Sequence, residues 1–105
     1  MLLLDDDDEL PPIAGETEAA LAAKLGDAGI ASIDAGILAH SQPFDQKVAR
    51  IIHHALKAGG FSPWDDGCVE LHARRVIALI DAGRLQARGN VRKPRWSEVC
   101  LAKVD

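Results

Sequence analysis

The sequence predicts a mainly helical α+β domain, on three observations. Apolar residues recur at helical spacing in the stretches ending at Gly59 and Gly83. After Gly83 the period changes to alternation in two short runs, Leu85–Ala87 and Val99–Leu101. The connection between those runs, Gly89 to Arg95, is longer than a tight hairpin turn and rich in bases. Together these describe a winged-helix-like three-helix core with a C-terminal two-stranded wing and an extra N-terminal helix.

The elements follow in order. Asp5 to Glu9 is a run of five carboxylates that would repel itself if tightly folded, so a solvated segment is the favoured reading. It lacks the alternation and glycine of a calcium loop; a third reading has it screening basic residues of the same molecule. Pro11-Pro12 makes a stiff connector. The expected division is an acidic segment over residues 1–12 and a single domain over residues 13–105.

Glu16 to Leu25 reads as the extra helix, stopped by Gly26 and Gly29. A short second helix, capped by Ser32, runs through Ile33, Ile37 and Leu38 and is weakened by Gly36. After Pro43 a third helix is expected from Phe44 to Ala58, its apolar face being Phe44, Val48, Ile51, Ile52, Ala55 and Leu56. The fourth begins with Ser62 as cap and Pro63 in its first turn. It buries Val69, Ala73, Val76, Ile77 and Ile80 and ends at Gly83 in a left-handed cap. Leu85 and Ala87 then share one side of a strand. Val99 and Leu101 share one face of the returning strand, with Trp96, Glu98 and Cys100 on the other.

Composition narrows the function. At 105 residues the chain is one domain, and its hydrophobic fraction of 48% suffices for a core without staples. No apolar run approaches membrane-spanning length, and three leucines followed by acids do not make a secretory signal. Two distant cysteines fit a reducing cytoplasm. Residues 1–62 carry ten acids and four bases, whereas residues 63–105 carry six acids and eight bases. Between Arg84 and Arg95 lie five bases and no acid.

Catalytic signatures are missing. Ser41 and Ser97 lack a glycine-rich elbow, neither cysteine sits in a nucleophile motif, and no phosphate-binding glycine loop precedes a helix. Cys68 and His72, one helical turn apart, supply two ligands where a structural zinc needs four. His53 and His54 diverge by about 100° on a helix. The expectation is therefore a non-enzymatic protein with no catalytic residue, metal, cofactor or evident small-molecule substrate.

Two surfaces remain as candidates. Arg84, Arg88, Arg92, Lys93 and Arg95 of the wing suit phosphates, an acidic protein surface, or simple solvation. Trp64, Leu71 and Ala78, seven residues apart, line a stripe opposite the core face of the fourth helix. The Glu16–Leu25 helix is one cover for that stripe, and a second subunit or partner protein is the other. Three carboxylates near that helix's start, Asp65, Asp66 and Glu70, oppose its use on a phosphate backbone. The expected role is a cytoplasmic interaction domain acting by protein contact or self-association, with a DNA-binding regulator that grips phosphates through the wing as the alternative.

The pattern HARRVIALIDAGRLQARGN, with RWSEVCLA after it, resembles an uncharacterised bacterial family, a domain of unknown function often found C-terminal to another such domain. The resemblance covers Arg75–Gly83, Leu85–Asn90 and Ser97–Leu101, with Lys47–Leu56 similar to the family's preceding helix. It implies a fold and assigns no activity to any residue.

Overall fold

The computed structural model describes residues 9–102. Three helices and three short strands succeed one another as α1 (Glu16–Ala39), β1 (Gln46–Lys47), α2 (Val48–Ala58), α3 (Asp66–Asp81), β2 (Leu85–Arg88) and β3 (Glu98–Leu101), with a 3₁₀ turn at Pro94–Trp96. The sheet is antiparallel in the order β1-β3-β2.

Helix α1 joins the two helices expected over residues 16–38. Gly26 breaks it, with φ 65° and ψ −175°, a conformation open to glycine and strained for other residues. The helix resumes at once beyond that residue, so the expected loop is a kink. Its first half carries Glu18, which is 2% exposed, and its second half buries Ile33 and Ile37.

Helix α2 starts at Val48, four residues later than the sequence suggests. The free edge of β3 takes the chain first: Gln46 pairs with Val99 and Lys47 with Glu98. The backbone N–H of Val48 still donates to the Ser97 carbonyl at 3.0 Å. In place of the expected two-stranded wing the chain forms a three-stranded sheet, and Phe44, expected in the core, is 61% exposed. The rest of the predicted face (Val48, Ile51, Ile52, Ala55, Leu56) is buried.

Helix α3 is capped by Asp65 rather than Ser62, the Asp65 carboxylate accepting from the Cys68 N–H at 3.1 Å. Ser62 instead accepts from the Trp64 N–H in the preceding turn. At the far end Gly83 has φ 77°. Its N–H bonds the Ile80 carbonyl, and that of Arg84 bonds the Leu79 carbonyl, the paired closure that a left-handed cap provides. Val69, Leu71, His72, Ala73, Val76 and Leu79 are all buried. These residues span more than one face, because α1 packs on one side of α3 and α2 on another. α3 is the central helix of the fold.

Leu85 and Val99 close the core from the sheet, at 2% and 0% exposure. Leu10 closes it from the N-terminal side, fully buried. The domain therefore includes residues assigned by sequence to the acidic segment.

Candidate functional site

The basic connection between β2 and β3 is ordered by its own backbone. The Lys93 N–H donates to the Asn90 carbonyl, Pro94 is buried at the start of the 3₁₀ turn, and the Ser97 hydroxyl donates back to the Lys93 carbonyl at 2.9 Å. Of the five predicted bases, Arg92, Lys93 and Arg95 stand on this connection, Arg88 ends β2 and Arg84 precedes it, and the structure engages several of them. Arg88, 79% exposed, reaches the Asp45 carboxylate at 3.1 Å. Arg95 lies over the Trp96 ring, 5.4 Å from its centre, where the ring face attracts a cation. Arg84 is exposed and Lys93 is half-buried.

Arg92 is held by the N-terminal segment. Its Nε donates to the Leu10 carbonyl at 2.8 Å, its carbonyl accepts from the Leu10 N–H at 2.6 Å, and its Nη2 is 3.1 Å from Glu9. Asn90 adds a bond from Nδ2 to the Glu9 carboxylate. The last acid of the Asp5–Glu9 run thus sits on the β2–β3 connection; the other four lie outside the described residues. The sequence carried one sign of this docking, the lone apolar Leu10 between an acid run and Pro11-Pro12.

The predicted stripe does not form a surface. Leu71 is 3% exposed and belongs to the core, Ala78 is half-buried, and Trp64 precedes the helix, at 77% exposure. The reason is α1, whose packing on α3 covers the outward face. Two adjacent arginines fasten it. Arg74 bonds both oxygens of Glu18 at 2.9 and 3.0 Å and donates to the Pro11 carbonyl at 2.6 Å. Arg75 bonds both oxygens of Asp34, each at 2.8 Å. The carboxylate partners hold both guanidinium groups more firmly protonated. Neither Glu18 nor Asp34 is marked by any motif, so their role was illegible in the sequence.

The Cys68/His72 pair makes an internal bond in place of a ligand set: His72 Nδ1 lies 2.8 Å from the Cys68 carbonyl. Burial, with Asp65 nearby, pushes the Cys68 thiol upward. Burial likewise raises the Glu70 carboxyl, helped by Glu18 and Asp66 and opposed by Arg74. His53 and His54 are exposed on α2; the His54 ring stacks near His40 at 6.1 Å and meets His53 edge-on at 5.9 Å. Among the described residues no group of three or more His, Cys, Asp or Glu is placed to hold a metal ion. No helix among them is long and apolar enough to cross a membrane.

Sequence reading also passed over the exposed side of α2, where Lys47, Arg50 and Lys57 join the two histidines with no acid between Gln46 and Gly60. Slight desolvation at this exposed site, then the charges of Arg50, His53, His40 and Lys57, lower the His54 pKa. No protein-family model matches the chain, no curated protein matches its sequence, and no solved structure matches its fold.

Proposed function

We propose that the chain is a winged-helix-like, non-catalytic interaction domain of the cytoplasm that works by protein contact, with self-association as the form of it to test first. The element order helix–strand–helix–helix–strand–strand, with β1 joined to β3, supports the winged-helix-like reading. Membership in the uncharacterised bacterial family belongs to the same proposal.

The observation that carries the function is the closure of α3. A helix that reads DNA offers its outward face to a groove, and here α1 occupies that face while Arg74 and Arg75 are spent on Glu18 and Asp34. What the molecule offers instead is Trp64 at 77% and Trp96 at 54% exposure. Tryptophan is the residue type most enriched at the energetic centres of protein interfaces.

Sedimentation velocity across a wide concentration range tests this. Self-association predicts a mass that rises above 11.2 kDa with concentration for the native chain and stays monomeric for Trp64→Ala and Trp96→Ala. A native chain that remains monomeric throughout would falsify self-association. The second reading rests on the exposed Arg84 and Arg88 of the wing. Anisotropy of a random DNA duplex, beside an Arg88/Arg92/Lys93/Arg95→Ala variant, decides it. Binding that weakens steeply with salt and is lost in the variant supports phosphate contact.

A further inference from the structure

A cavity of about 330 Å³ lies between the second half of α1, the end of α2 and the middle of α3. Gly29, Ser32 and Gly36 recur along one side of α1 and face Ala55, Ala58 and Gly59. Small residues on facing helices would let the backbones close together, yet here they leave a pocket that opens to solvent past the exposed Ser32, Ala58 and Gly59. A Cβ added at Gly36 meets nothing within 4 Å, so the helix backbone itself forms the wall there. Leu25, Ile33 and Phe61 supply carbon, and no lysine, arginine or carboxylate lines the space.

His72 gives this apolar space its directional chemistry. The residue is 1% exposed and lines the cavity. Its Nδ1 lies 2.8 Å from the Cys68 carbonyl, which can only accept, so Nδ1 carries the ring proton and Nε2 carries a lone pair. That is the ring's one hydrogen bond among the described residues. Phe61 meets it edge-on, 5.2 Å between centres at 72°, and helps fix the ring plane. Burial lowers the His72 pKa, so the ring stays a neutral acceptor. Nε2 is not among the side-chain atoms closed off from water without a partner, so solvent in the cavity reaches it, and a ligand N–H or O–H takes that solvent's place. No charged side chain lines the space to pair with a charged ligand.

We propose that the cavity between α1, α2 and α3 binds a small neutral, largely apolar molecule whose single N–H or O–H donates to His72 Nε2. The volume falls in the range of small-molecule sites. This site is separate from the surfaces proposed for protein contact.

The test titrates the full chain with indole and with benzofuran, which keeps indole's shape and replaces its N–H by an oxygen. Binding is read by calorimetry and by the ¹⁵N shift of the His72 ring. The expected result is saturable indole binding that moves the Nε2 resonance, with benzofuran about tenfold weaker. Gly36→Leu and Ala58→Leu, which fill the space from opposite walls, are expected to abolish indole binding while helical circular dichroism is retained. Either variant alone suffices if the other fails to fold. The proposal is overturned by absence of saturable indole binding, by equal affinity for the two probes, or by native affinity in a folded filled-cavity variant.

Discussion

Arg75 and Asp34 meet through two parallel bonds, Nε to Oδ1 and Nη2 to Oδ2, each 2.8 Å long across 41 residues of sequence. One residue earlier, Arg74 makes the same two-bond grip on Glu18. Neighbours on a helix point about 100° apart, and the two halves of α1 diverge at Gly26, so one adjacent pair of arginines fastens both halves. The two grips differ in burial. Glu18 is 2% exposed and Asp34 is 21% exposed. Removing Arg74 strands a buried carboxylate, so Arg74→Ala is expected to destabilise by about 3–5 kcal/mol. Arg75→Ala is expected to cost about 1 kcal/mol or less, because water solvates Asp34. Urea unfolding of the two variants checks the order, and Glu18→Gln added to Arg74→Ala should recover part of the loss.

The N-terminal segment combines a packing contact with an electrostatic one, and mutation separates them. Leu10 is fully buried, so Leu10→Ala is expected to cost about 2–5 kcal/mol. Glu9 and Arg92 are each more than a third exposed, so Glu9→Gln should change stability by no more than about 1 kcal/mol. The same substitution removes a counter-charge from Arg92 and is expected to raise affinity for a polyanion at low salt. Deleting residues 1–9 should raise it further. Heparin-column retention and denaturation curves measure the two effects independently.

The core helices were legible because burial repeats with helical period: Val48, Ile51, Ile52, Ala55 and Leu56 need no partner to be recognised as one face. Gly83 was legible because only its position after an apolar run explains it. Strand β1 was not, since two residues carry no period and only the open edge of β3 calls for them. The covered face of α3 was half legible. Trp64, Leu71 and Ala78 share a spacing, but spacing alone does not say whether α1 or another molecule lies over it. Ion pairs between residues 41 and 56 positions apart leave no local pattern at all.

Stability should depend on pH through His72. Its folded pKa is lowered by burial, against an opposing contribution from its bond to the Cys68 carbonyl. The unfolded chain therefore takes up a proton below about pH 6.5 that the folded chain refuses. Stability is full above that pH, falls as pH drops toward the folded pKa, and levels off below it. His54 shifts in the same direction, so His72→Gln is expected to flatten the slope without removing it. Thermal midpoints of both proteins measured from neutral to mildly acid pH check this; parallel profiles would assign the dependence elsewhere.

Gln46 is held at the sheet edge by pairing with Val99, yet its Oε1 is buried with no hydrogen-bond partner among the described residues. The backbone register fixes which side of the sheet the side chain takes, so the residue cannot turn outward without breaking β1. An unpartnered buried amide oxygen costs about 1–3 kcal/mol. Methionine has nearly the same length and no polar atom that needs a strong donor. Gln46→Met is accordingly expected to stabilise the domain by about 1 kcal/mol, a rise of about 4–8 °C in Tm for a chain of this size. Gln46→Ala, which leaves a gap in the same place, should not share that gain.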